Sequence, residues 1–149
     1  SENLSDLFEL RGMLEIEIAG IAALRRSAAD LDELHTSLSE LAKTPFFDEA
    51  KLEADARFHR ALASATGNTY LIGISTYISF RLKGTTRDTA AIYTSDDLAM
   101  RTLDEHRSIL SQIESQNRSG ARDAMRHHIR QAAERLSVTL REGAMDNSD

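Results

Sequence analysis

Apolar residues recur at steps of three and four through most of the chain, the period of a helix with one face turned inward. From Leu4 to Ser27 the stripe is Leu7, Leu14, Ile18 and Ile21, widened by Phe8, Met13 and Leu24, with Asp6-x-x-Glu9 as a capping arrangement at its start. A second helix opens at Asp30-x-x-Glu33, buries Leu31, Leu34, Leu38 and Leu41, and must end before Pro45, whose ring disfavours helix in the residue ahead of it. Asp48 caps a third helix carrying Leu52, Phe58, Leu62 and Ala63, which stops at Gly67. Asn68 or Thr69 starts a fourth, running through Leu71, Ile74, Ile78 and Leu82 to about Lys83, with Gly84 as its end. The stretch Thr85–Thr94 reads equally as a loop or as a kinked continuation. Ser95 or Asp96 begins a fifth helix with Leu103, His106, Leu110 and Ile113. After a turn at Asn117–Gly120, the last helix runs from Ala121 to about Arg141 through Met125, His128, Ala132 and Leu136, and the tail after Gly143 is expected to fray. The predicted fold is all-α, an antiparallel bundle of six or seven helices in one domain, ordered from about residue 4 to 142.

Polar residues interrupt these apolar stripes. Asp55 and His59 lie one turn apart on the inward face of the third helix, His106 on that of the fifth and His128 on that of the last. Burying such groups unpaired is costly. Each alone is explained by a local hydrogen bond, but a centre shared by three helices satisfies all four together, and bundles build metal sites in this way. Three imidazoles and a carboxylate suit Zn²⁺ first, and also Ni²⁺, Mn²⁺ or Fe²⁺. Arg11 lies between Leu7 and Leu14, where a guanidinium can snorkel outward, pair with Glu15, or reach into a cavity to hold an anion. Arg81 is a second candidate for anion contact, while His35 and His127 are assigned to the surface.

Composition narrows the function classes. There is no cysteine, hence no disulfide or thiolate site. No apolar run approaches the roughly 20 residues of a transmembrane helix, and with no signal-peptide pattern a cytoplasmic location is the default expectation. A formal net charge of −6 argues against nucleic-acid binding by this stretch, since Arg25-Arg26 and the arginines scattered through the last helix are its only basic groupings.

Four ordered motifs also resemble a known family. They are Glu9-x-Arg11-x-x-Leu14-Glu15, then Asp55-x-x-Phe58-His59-x-x-Leu62-Ala63-x-Ala65-x-Gly67-Asn68, then Glu105-His106-x-x-Ile109-Leu110, and finally Ala124-Met125-x-x-His128-Ile129. Together they resemble the FCD domain, the C-terminal sensor domain of FadR-type regulators in the GntR superfamily, over about Leu7 to Leu140. The resemblance implies a metal held by Asp55, His59, His106 and His128, as in the metal-binding branch rather than the branch that binds acyl-CoA. It also implies a small carboxylate effector contacted by Arg11, a homodimer, and DNA binding through an N-terminal winged helix-turn-helix domain. That domain is expected to be absent here, because 149 residues leave no room for it and nothing before Leu4 resembles it; an opening Ser rather than Met points to a processed or truncated product.

Two other readings stand beside the sensor. An open position on a His₃Asp-bound ion activates water, which makes a metal-dependent hydrolase. Against it, no second carboxylate shares the inward stripes, Glu105 being expected about 100° away from His106. The other is a metal-free helical interaction domain.

Overall fold

A computed structural model describes residues 3–43, 49–88 and 96–145. Among them the chain forms six helices and no strand: α1 (Leu4–Arg25), α2 (Ala28–Lys43), α3 (Glu49–Ala65), α4 (Thr69–Asp88), α5 (Asp96–Glu114) and α6 (Arg118–Arg135). The expected all-α bundle is what is found. Asp48, Pro45 and Ser95 fall outside the described residues. So does the Thr89–Thr94 part of the ambiguous stretch; its first part is helix, because α4 passes through Gly84 and ends at Asp88. A glycine stops a helix by adopting positive φ, as Gly67 does at 72° after α3, and Gly84 does not.

Several helix ends are set by residues other than those predicted. Asn3 caps α1 by accepting from the Ser5 amide at 3.0 Å, while Asp6 and Glu9 instead pair with Arg141. Ser27 and Asp30 cap α2 reciprocally, the Ser27 amide donating to the Asp30 carboxylate at 2.8 Å and the Asp30 amide to the Ser27 hydroxyl at 3.1 Å. That helix therefore starts ahead of the predicted Asp30-x-x-Glu33 signal. Asn68 caps α4 as expected, accepting from the Tyr70 amide at 3.0 Å. Asn117 caps α6 through the Gly120 amide, so Arg118–Gly120 are its first turn rather than part of a loop. Its far end comes six residues earlier than predicted. Ser137, at φ 54°, closes it with Val138 N–H donating to Ala133 O at 2.8 Å and Ser137 N–H to Glu134 O at 3.0 Å.

The core lies between α1, α3, α5 and α6, with Phe8, Phe58, Leu62, Ile109, Ile113, Met125 and Ile129 fully buried. Of the predicted α1 stripe only Phe8 and Ile18 are fully buried; Met13 and Leu24 are 66% and 51% exposed. The reason is that α1 packs on four other helices, most closely on α6. Its small residues Gly12, Ala19, Gly20, Ala22 and Ala23 make that approach possible. The adjacent arginines Arg25 and Arg26 also serve the fold. Arg25 donates to Thr66 O at 2.8 Å, and Arg26 to Ile113 O and Glu114 O at 3.3 and 2.6 Å. They thus satisfy carbonyls left over at the C-terminal ends of α3 and α5 and complement those helix dipoles.

The segment after α6 is docked as far as Met145, two residues past the predicted fraying point at Gly143, and residues 146–149 of that predicted tail lie outside the described residues. Ser5 donates to Thr139 O at 2.7 Å, Arg130 donates to Met145 O at 3.1 Å, and Met145 is 5% exposed against Gly12. A Cβ at Gly12 would lie 2.3 Å from Met145 Cγ, too close for both to stay. The variant Gly12→Ala should therefore release this strap, read as faster tryptic cleavage at Arg141 with the helical circular dichroism unchanged.

Candidate metal centre and ligand cleft

Three helices converge on one buried point. Asp55 and His59 come from α3, His106 from α5 and His128 from α6, and each offers a ligand atom within 4.8 Å of the others. His59, His106 and His128 are 5%, 0% and 3% exposed, whereas the Asp55 side chain is 35% exposed towards an adjoining cleft. The three rings pack directly on one another, with His106 and His128 centroids 4.6 Å apart and His59 and His128 5.5 Å apart. Phe58 closes the cluster from beneath, edge-on to His106 at 4.9 Å and to His59 at 5.9 Å.

The outer nitrogen of every ring is committed to an oxygen that can only accept. His106 Nδ1 lies 2.7 Å from Thr102 O, His59 Nδ1 2.9 Å from Glu15 Oε1, and His128 Nδ1 2.7 Å from Glu105 Oε1. Each Nδ1 must therefore carry the proton, which leaves a lone pair on Nε2 of every neutral ring. His106 Nε2 faces Asp55 Oδ1 at 2.7 Å and His59 Nε2 lies 3.7 Å from the same oxygen. The buried His59 Nε2 has no hydrogen-bond partner. Lone pairs and a carboxylate gathered on one point repel unless a proton or a metal cation lies among them.

Two carboxylates that sequence reasoning did not assign to the site hold the rings. Glu15 is fixed by Arg11, whose Nε lies 2.5 Å from Oε2. Burial alone would raise the Glu15 carboxyl, but Arg11 and His59 outweigh it and hold it at about 2. Glu105 is 7% exposed, contrary to its predicted orientation, and receives both terminal nitrogens of Arg135 at 2.8 Å. Burial again opposes ionisation, and Arg135 and His128 again win, at about 2. Asp55 is likewise held well below the usual carboxylate range, its burial outweighed by His59 and His106. Burial and the neighbouring imidazoles push His128 down to about 3, while Glu15 and Asp55 raise His59 against the effect of its burial. Glu15 and Glu105 are thus each answered by a guanidinium, Arg11 and Arg135, which leaves the Asp55 carboxylate to be answered by an imidazolium or by a metal cation. The spacing Glu105–Ile109–Ile113 was the legible sign that Glu105 faces inward; a helix packed on both sides buries an arc wide enough for Glu105 and His106 together.

A cleft of about 820 Å³, its mouth included, opens above this centre. Asp55, His128 and Arg11 reach it, Leu41, Leu52, Leu82 and Leu136 give it apolar walls, and Lys51, Lys83 and Arg135 also line it. Arg11 is 3% exposed, stacked over Phe8 with its Cζ 5.0 Å from the ring centroid, and it both pairs with Glu15 and faces the cleft. Arg81 is not among the lining residues; its guanidinium lies 6.0 Å from the Tyr77 ring. His35 is exposed beside Glu114 and His127 is exposed, both as predicted.

An all-helical bundle with a polar cluster at its centre and a cleft beside it defines a small-molecule-binding domain in architecture. The model of the FCD domain family matches residues 6–131, and the chain belongs to that family. It is 32% identical over 138 residues to the HTH-type transcriptional regulator LutR of Bacillus subtilis, covering 91% of this chain and 63% of that one. It is 30% identical over 138 residues to the galactonate operon transcriptional repressor of Escherichia coli, covering 92% of this chain and 54% of the repressor. Among solved structures, a GntR protein of Streptococcus agalactiae superposes with a TM-score of 0.67 at 29% identity, over 87% of this chain and 57% of that one. McbR/YncC of E. coli superposes at 0.78 with 18% identity, over 90% of this chain and 67% of its own, a likeness of fold. The chain thus spans a little over half the length of these regulators.

Proposed function

We propose that this chain is the effector-binding domain of a cytoplasmic GntR-type transcription regulator. In this reading it holds a divalent metal, Zn²⁺ in the first instance, through Asp55, His59, His106 and His128. A small organic acid binds in the cleft above, and the domain acts as a homodimer. DNA is contacted by a separate winged helix-turn-helix domain, whose operator affinity the acid alters. The observation that carries the metal is the tautomer constraint: three Nδ1–H groups fixed on acceptors, and a buried His59 Nε2 with no partner, beside Asp55. The donor set is one that Zn²⁺ accepts.

A bound divalent ion supplies positive charge for the carboxylate or hydroxyl oxygens of the acid. The residues do the rest. Glu15, the Thr102 carbonyl and Glu105 orient the rings, as outer hydrogen bonds do in metal sites. Arg11 offers a charge-assisted contact to an effector carboxylate, and the leucine walls accept its carbon skeleton. Binding shifts the regulator only by its difference in affinity between two helix arrangements. One relative is named for the operon of galactonate, a sugar acid, which fits a small carboxylate. A hydrolytic role is not favoured: both oxygens of Glu105 and both of Glu15 are already engaged. No free base stands beside the cluster among the described residues.

Elemental analysis tests the metal. About one equivalent of Zn, Ni, Mn or Fe in the parent and much less in His128→Ala is the expected result; none in either would leave a metal-free interaction domain. Calorimetry with small hydroxy and sugar acids tests the effector. Arg11→Gln should weaken a binding acid about 10- to 100-fold, the worth of one hydrogen bond to a charged group, and an unchanged affinity would remove Arg11 from the site.

A further inference from the structure

Among the described residues, three of the six exposed large apolar side chains lie on the outward face of α4. Tyr70, Gly73, Tyr77, Phe80 and Gly84 are all exposed. Their steps of three and four keep them in one stripe about 80° wide, on the side of α4 away from the buried Ser75 and Ile78. Tyr70 is 86% exposed, Phe80 70% and Tyr77 52%. No Asp, Glu, Lys or Arg occurs from Thr69 to Phe80. Other exposed large apolar residues, such as Met13 and Met100, lie on different helices.

The glycines say what fits there. A Cβ at Gly73 or at Gly84 would meet nothing within 4 Å, so packing within the chain does not require either one. Each nevertheless weakens the helix relative to alanine. A glycine on an exposed helix face gains its use when another backbone or a large side chain comes close. The seam alternates large and small, and it complements itself when reversed: about a two-fold axis just ahead of Tyr77, Tyr70 falls within about half a residue of the position of Gly84, and Phe80 within about half a residue of that of Gly73.

We propose that α4 pairs antiparallel with α4 of a second copy of this chain, each copy's Tyr70 and Phe80 entering the notches left by the other's Gly84 and Gly73. Such an interface is isologous, as two-fold dimers require. The reversed direction also keeps Arg81 of the two copies apart, where a parallel pairing would set them side by side. From their exposures, the six aromatic side chains supply roughly 800 Å² of buried area, at about 150–250 Å² each when fully covered. Glycine backbone and flanking side chains have to add only about 400 Å² to reach the lower bound of a specific interface. The proposal rests on the dimer reading above and names its surface.

Sedimentation equilibrium of the whole chain tests it, together with disulfide trapping, which the absence of cysteine makes clean. The parent should run at about twice 16.6 kDa. Gly73→Leu fills the notch while favouring helix, so it should run at the monomer mass with undiminished helical circular dichroism; Phe80→Glu is the second variant if the first loses helicity. Tyr77→Cys should cross-link with its copy on mild oxidation and Met13→Cys should not. A dimer indifferent to both α4 variants overturns the seam and leaves the dimer reading standing. A parent that stays monomeric through the micromolar range overturns both.

Discussion

Chelation should lower the melting temperature of the parent protein by roughly 10 °C and leave His106→Ala almost unmoved. A ligand that binds only the folded state stabilises it by mass action, about 4 kcal/mol when it is present at about a thousand times its Kd. In a chain of this size each kcal/mol moves Tm by about 2–4 °C. His106 is the variant to use because its ring is 0% exposed and its Nε2 faces Asp55 at 2.7 Å. Removing it costs core stability as well, so the quantity that decides is the chelator-dependent difference, measured by differential scanning calorimetry on each protein with and without added Zn²⁺. Equal shifts in parent and variant would take His106 out of the centre. No shift in the parent would mean that Asp55 and an imidazolium satisfy each other without an ion.

Phe58→Ala should cost about 3–5 kcal/mol of folding free energy, the range for deleting a buried aromatic ring, out of a total of about 5–15 kcal/mol for a domain. Phe58 is 0% exposed and its ring supports both His59 and His106 edge-on. The cavity would open directly beneath the cluster, so metal affinity should fall along with stability. Leu24→Ala is the informative comparison. Periodicity places Leu24 in the core, but it is 51% exposed, and its loss should stay within about 0.5 kcal/mol. Urea unfolding of the two variants separates the packing seen in the structure from the stripe read along α1; similar losses for both would show that Leu24 is covered in solution.

The helices themselves were legible because each carries its own apolar period and because local chemistry marks many ends. Asn68 ahead of α4 and Gly67 after α3 work within a single turn, and they lie where the sequence puts them. The less successful boundaries depended on choices between nearby signals. Ser27 with Asp30 won over Asp30 with Glu33, and Ser137 ended α6 without a glycine, by taking a positive φ that left-handed closure demands. The α1 stripe misled for a different reason. A single hydrophobic face describes a helix packed on one side, and α1 is packed on α3, α5 and α6 at once.

The same division runs through the site. Asp55, His59, His106 and His128 stand out in the sequence because a charged or imidazole side chain on an apolar stripe is a local anomaly, visible within one helix. Helical periodicity also determines that the chain is all-α, and the ordered motifs identify its family. The supports of those four residues are not local anomalies. Glu15 reaches His59 from α1, and Arg135 reaches Glu105 from the end of α6, across separations of 44 and 30 residues that only packing closes. Tertiary structure likewise decided that the C-terminal strap docks on Gly12, and that Glu105 is buried although its neighbour His106 is buried too. Periodicity reports which side of one helix is apolar; how many neighbours that helix has, and which buried charge answers which, is settled only when the helices meet.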